Sequence, residues 1–209
     1  MTPLETLLRS SPHLWRGGEI ARGDSRNTGY AGLDARLPGG GWPVGALIEI
    51  APECDGLGEL RLTLPALRAW CQEGRSIAFV QPPHIPYAPA LARFGLPLGS
   101  VLWVVADGDE DARWAAEQLL REGAAAVLLW SAASEDRALR RMQLAAEAGK
   151  ACAFLYRPPQ MSGHTSLSHA SPAAVRIALS AVDAGVCVDL VKVRGGHAGK
   201  FVLPLRPTA

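Results

Sequence analysis

Between the apolar run GALIEI and the stretch RLTLPALRAWCQEG lies APECDGLGEL, residues 51–60. A strand, a glycine-bearing loop and a helix in that order are where a phosphate-binding loop sits. Such a loop needs glycines that let backbone N–H groups approach the phosphates, a lysine for the terminal charge, and a serine or threonine hydroxyl for Mg²⁺. Gly56 or Gly58 can take the second glycine of that pattern. The residue after it is then Leu57 or Glu59 where lysine is required, and the next is Gly58 or Leu60 where a hydroxyl is required. A glutamate there repels a triphosphate. The loop has the backbone signature of a phosphate site without its charge, and only the weak pull of a helix N-terminus on anions remains. The expectation is a degenerate phosphate loop at Gly56, Gly58 and Glu59, with no cofactor.

The other reactive side chains are thinly spread. His164 and His169 fall in the polar segment RPPQMSGHTSLSHASP with no third ligand nearby, so no metal site is expected. Ser162, Ser166 and Ser168 share that segment, but nothing around them has the form of a nucleophile elbow, and no catalytic residue is assigned. His84, among the prolines of QPPHIPYAP, reads as a turn or surface residue. Cys54, Cys71, Cys152 and Cys187 have neither close pairing nor Cys-His spacing and read as small buried hydrophobes.

Two basic groupings remain. Lys192 and Arg194, two apart in VKVRGG, share one face of a strand. That face is either a solvated edge whose charges discourage strand pairing or a contact surface. Arg137, Arg140 and Arg141 fall on the helical stretch SEDRALRRMQLAAEAG, with Arg137 and Arg141 on one face. With Ser134 as cap and Glu135–Asp136 in the first turn, this is a well-capped surface helix or a weak DNA- or partner-binding patch.

The elements that must position these residues alternate regularly. A short helix over 2–10 and an irregular arm over 11–29 precede a helical turn at 30–36 and the Gly-Pro turn PGGGWPVG. Apolar strand runs then follow at 46–51, 76–81, 101–106, 125–130 and 151–156. Helical stretches at 58–73, 88–94, 109–122 and 135–148 separate them. That alternation predicts βαβ units, a mostly parallel sheet and helices on both faces, and the unbroken apolar runs fit strands covered on both sides. Trp42, Trp70, Trp103, Trp114 and Trp130 read as core or half-buried packing. After residue 157 the texture changes to antiparallel strands, AAVRIALSA, GVCVDLVKV and KFVLPL, with Gly195, Gly196 and Gly199 in the last turn.

The 209 residues are 48% hydrophobic and 20% charged, with a formal net charge of +1, which excludes a disordered chain and gives no global signal for nucleic acid. No apolar run approaches a membrane span, and the N-terminal stretch lacks a basic start and a long apolar core. A cytoplasmic location is the expectation.

Read in order, NTGYAGLDARLPGGGWPVGALIEIAPECDGLGELRLTLPAL resembles the opening of the RecA core: Thr28-Gly29, Leu33-Asp34, Gly40-Gly41, Ile48-Glu49-Ile50 and Pro52-Glu53 all match it. The likeness continues through SIAFVQPPHIPYAPALARFGLPLGSVLWV, REGAAAVLLWSAA and VDLVKVRGGHAGKFVLPL. LWRGGEIA, WAAEQLLREGAAAVLLW, RALRRMQLAAEAG and FLYRPP extend it nearly end to end to the ImuA family, RecA-like accessory proteins of damage-inducible mutagenesis. The resemblance implies an arm at 1–29 and a single degenerate RecA-like domain at 30–209. It also implies a non-catalytic role in SOS-induced translesion DNA synthesis. The partners it implies are ImuB, a Y-family polymerase-like protein, and through it an error-prone replicative-type polymerase subunit, with RecA as a further candidate. Direct DNA binding is expected to be weak or absent, and no membrane is involved.

The departures from RecA are systematic. Pro83 stands at or near the catalytic glutamate position, Ser131 stands where Walker B ends in aspartate, and the Walker A lysine and threonine are missing. Without them phosphoryl transfer lacks its positioned charges. The alternatives are a SulA-like inhibitor of the tubulin-like division protein and a nucleotide-dependent recombinase-type ATPase. The RecA resemblance also places Lys192 and Arg194 at two positions that reach a neighbouring subunit's nucleotide. Leu14 and Trp15 fall where an N-terminal arm packs into the next subunit, or Trp15 folds back on its own core.

Overall fold

A computed structural model describes residues 24–132, 135–159, 167 and 169–204. Leu14, Trp15, Ser134, Ser162, His164, Ser166 and Ser168, and the helix expected over 2–10, lie outside the described residues.

The centre of the molecule is one eight-stranded sheet. Its strands are β3 (Ala46–Pro52), β4 (Ile77–Val80), β5 (Val101–Val104), β6 (Ala126–Trp130), β7 (Cys152–Tyr156), β8 (Val175–Val182), β9 (Gly185–Val193) and β10 (Gly199–Leu203). Their order across the sheet is β10-β9-β8-β3-β7-β6-β4-β5. From β5 to β8 every pairing is parallel, and β8, β9 and β10 close that side as an antiparallel meander. The three C-terminal strands expected to be antiparallel are so among themselves, but β8 also runs parallel to β3. The expected α/β class and mostly parallel sheet are what the structure shows.

Residues of β3, β4, β6 and β7 are buried apart from the half-buried Trp130, and alternate side chains feed two separate cores. Ile48 and Ile50 pack with Leu33 of α1 (Ala31–Asp34) and Leu67 and Trp70 of α2 (Leu64–Gln72). Leu47 packs on the other face. There it meets Ala112, Ala116 and Leu120 of α4 (Asp109–Arg121), and Leu139, Met142 and Ala145 of α5 (Asp136–Gly149). A remaining helix, α3 (Ala88–Arg93), lies between β4 and β5. The small residues on α4 and α5 let the two helices approach closely. A Cβ at Gly149 would sit 1.8 Å from the Leu120 carbonyl oxygen.

Four expectations are corrected. The helix expected from 58 begins as a 3₁₀ turn, Glu59–Leu62, and becomes α-helical only at Leu64, because Gly58 takes a left-handed φ of 89° and Pro65 supplies no N–H. Within the irregular stretch expected over 11–29, Ser25–Arg26 form a short strand, β1, that pairs antiparallel with β2 (Trp42–Pro43), and Thr28 is buried. Trp103 and Trp114 are 50% and 60% exposed rather than packed. Trp103 stands on β5, which among the described residues has a neighbour on one side only, and Trp114 borders a groove between α4 and α5. Cys54 is exposed and Cys187 half-buried, so only Cys71 and Cys152 are the buried hydrophobes expected of all four.

Candidate functional site at the carboxyl edge of the sheet

In a parallel sheet, ligands bind beyond the carboxyl ends of the strands. Here that edge is formed by Pro52 of β3, Gln81 after β4, Ser131 after β6 and Arg157 after β7, and a cavity of about 300 Å³ opens between them. Residues 53–58 form one wall. Gly56 and Gly58 both have positive φ, 77° and 89°, a conformation that glycine adopts without steric cost. Gln81 is a non-glycine residue at φ 51°, a conformation costing of order 1 kcal/mol. It is held there by Gln81 N–H donating to the Val104 carbonyl at 2.9 Å and by Ala106 N–H donating to its Oε1 at 2.9 Å.

The lining is aromatic, proline-rich and acidic. Trp130 and Tyr156 stack at 4.8 Å with their planes 12° apart. Pro83, Pro158 and Pro159 add apolar surface, and Asp55, Glu59 and Asp109 bring carboxylates. Glu59 Oε2 is shut from solvent and has no hydrogen-bond partner among the described residues. Asp109 also ion-pairs with Arg113 one turn on. The Tyr156 hydroxyl lies 2.9 Å from Thr63 Oγ1. Burial pushes the Tyr156 phenol far up, the Thr63 hydrogen bond opposes this, and the Glu59 charge adds to it.

Thr63, fully buried and tied to Tyr156, is also the residue before α2. The helix N-terminus expected to exert a weak pull on anions is therefore plugged by protein and set back from the loop. The cavity brings together Glu59, Pro83 and Ser131, which come from three separate segments of the chain.

The cation that the described lining contributes, Arg157, is committed elsewhere. Arg157 donates through Nε and Nη2 to Glu49 Oε2, at 3.2 and 3.1 Å. Glu49 is fully buried in β3, and a second arginine, Arg176 of β8, approaches the same oxygen to 3.5 Å. Ser171 Oγ–H donates to Glu49 Oε1. Register puts these groups in a row, since Glu49 pairs with Arg176 and Arg176 with Lys192. Lys192 Nζ donates to the Ser171 carbonyl at 2.7 Å, and Arg194 donates to the Pro172 carbonyl. Lys192 and Arg194 do share a side, and there they tether the segment that crosses the row. Burial, then Arg194 and Arg176, lowers the Lys192 ammonium pKa, with Glu49 opposing.

Sequence reading missed this row. Its signal was a lone glutamate inside ALIEIA and a lone arginine inside VRIAL, charges in runs that otherwise read as fully covered strands.

The arginines of α5 divide. Arg140 pairs with Asp136 at 2.8 Å on the surface. Arg137 and Arg141 line a groove of about 380 Å³ between α4 and α5 beside Trp114. Arg141 pairs there with Glu117 at 2.9 Å. The groove's three arginines, Arg113, Arg137 and Arg141, face three glutamates, Glu110, Glu117 and Glu135, so it lacks the basic excess a DNA backbone needs.

His84 is exposed, and the His169 carbonyl accepts from Arg176 at 2.8 Å. Among the described residues, no cluster of three or more His, Cys, Asp or Glu could hold a metal ion, and no helix is long and apolar enough to cross a membrane. No protein-family model matches the chain.

Proposed function

We propose that this chain is a non-catalytic, RecA-like accessory protein of damage-induced translesion DNA synthesis, acting by contact with a Y-family polymerase-like protein of the ImuB type. The observation that carries the non-catalytic part is the charge at the carboxyl edge of the sheet. A nucleotide there would set its phosphates against Asp55, Glu59 and Asp109, while the nearby Arg157 already serves Glu49. Phosphoryl transfer depends on cations placed on the phosphates, and this lining offers the opposite sign.

The partner-binding part draws support from the outer edge of the sheet. β5 carries Leu102 and Trp103, each about half exposed, and Val105 follows at 68% exposure. Apolar side chains on an unpaired edge are a surface for another protein. The RecA-like part draws on the coarse architecture, a mostly parallel sheet with β3 and its glycine loop in the interior and an antiparallel C-terminal meander, together with the sequence resemblance.

The test is to tag the protein in its native host, damage the DNA, and identify what co-purifies. Recovery of a Y-family polymerase-like protein, with or without RecA, is the expected result. Recovery of the tubulin-like division protein in its place overturns the reading in favour of a SulA-like inhibitor.

A further inference from the structure

The carboxyl edge lacks the features of a phosphate site, yet the described residues still enclose a cavity there. Its volume of about 300 Å³ has room for one large side chain. Its walls are the face of Trp130 beside Tyr156 and the rings of Pro83, Pro158 and Pro159. Three carboxylates line it, Asp55, Glu59 and Asp109, of which Asp109 also pairs with Arg113, and the described cation of the lining, Arg157, is paired with Glu49. The described carboxylates do not converge on a point that could hold a metal ion. A planar organic cation is what fits flat apolar walls and dispersed carboxylates together: it stacks on aromatic rings and donates several hydrogen bonds in fixed directions.

We propose that this cavity is a receptor for an arginine side chain presented by a partner polypeptide, its guanidinium lying against Trp130 and donating to Glu59 and Asp55. The inference rests on the non-nucleotide reading of the loop and names the chemistry by which a partner would be recognised. Arg157 sits at the floor as a positioning residue. By binding Glu49 it keeps its own charge turned from the incoming guanidinium, and its backbone N–H anchors to the Ile50 carbonyl at 2.8 Å. Gln81, held in a left-handed conformation at the rim, fixes the course of the chain toward Pro83.

The test uses the full chain, ¹⁵N-labelled, titrated with N-acetyl-arginine amide and with its neutral isostere N-acetyl-citrulline amide. The indole N–H signal of Trp130 is assigned from Trp130→Phe. The expected result is a saturable shift of that indole and of the amides of residues 53–59 with the arginine compound, and a response to citrulline at least about tenfold weaker. Asp55→Asn with Glu59→Gln, on the loop and at the start of the 3₁₀ turn and outside the two cores, is expected to weaken arginine binding by a similar factor while leaving the other amide signals in place. Equal responses to arginine and citrulline, no response to either, or arginine binding unchanged in the double variant overturns the proposal. A parallel titration with ATP and Mg²⁺ separates the two levels. Silence there leaves the non-nucleotide reading intact whatever arginine does, and a saturable shift of the same indole overturns both.

Discussion

Glu49→Gln keeps the shape of the side chain and removes the charge on which two buried arginines depend. Glu49 is fully buried, and the side chains of Arg157 and Arg176 are only 4% and 8% exposed. In the variant, two guanidinium groups stay in the sheet without the Glu49 charge, and Arg176 Nε has no hydrogen-bond partner among the described residues. Removing one member of a buried ion pair costs about 3–5 kcal/mol. The retained amide oxygen can still accept one hydrogen bond, and Ser171 can reorient, so the lower end of that range is the expectation. For a chain of this length 1 kcal/mol moves Tm by about 2–4 °C, so the shift should be roughly 10 °C downward. The assay is thermal and urea unfolding followed by circular dichroism, with Arg140→Ala as control. Arg140 pairs with Asp136 in the open, and its loss should cost under about 0.5 kcal/mol. A Glu49→Gln protein within about 1 kcal/mol of the parent would refute the claim that Glu49 neutralises the row.

Other consequences follow from burial and packing. Burial holds Cys152 and Tyr156 neutral, so their folded pKa values lie above the ordinary 9.0 and 10.0. Their contribution is whole below those values and is lost as pH rises, because the unfolded chain ionises first, at about 1.4 kcal/mol per pH unit for each group. Lys192 has the opposite sign: its lowered pKa makes the folded state gain stability as pH rises toward 10.5. Two acids outweigh one base, so urea midpoints should fall between about pH 9 and 11, and Tyr156→Phe should flatten the upper part of that fall. Gly149→Ala drives a Cβ to within 1.8 Å of the Leu120 carbonyl oxygen and should lower stability by about 1–3 kcal/mol in denaturant titration. Gly99→Ala, with nothing within 4 Å, should move it by less than about 0.5 kcal/mol.

The sheet was legible because its strands are continuous apolar runs separated by amphipathic stretches, and that pattern follows from covering both faces of a parallel sheet. Strand order was not, since nothing in VLWV says that it ends on an outer edge. Trp103 was read as packed for that reason. That a glycine-bearing loop follows β3 was legible at 53–58, but the positive φ of Gly56 and Gly58 is seen only in the structure. Its acidity was half legible. Glu59 is adjacent in sequence, but Asp109 comes from the first turn of α4, some fifty residues on, and reaches the cavity only through the crossing of β4, β5 and β6. The buried row shows the same limit. Glu49, Arg157 and Arg176 look like isolated charges in the sequence, and only the parallel registers of β3 with β7 and β8 and the antiparallel register of β8 with β9 bring them beside Lys192.

The claim at the centre of this account is that the carboxyl edge of the sheet no longer receives a nucleotide. Isothermal titration of the intact protein with ATP and Mg²⁺, to about 1 mM nucleotide, tests it directly. Asp55, Glu59 and Asp109 predict no saturable heat and no phosphate release on incubation. Binding in the micromolar range, or hydrolysis that survives repurification and is lost in Glu59→Ala, would contradict the account and return the protein to the nucleotide-dependent class.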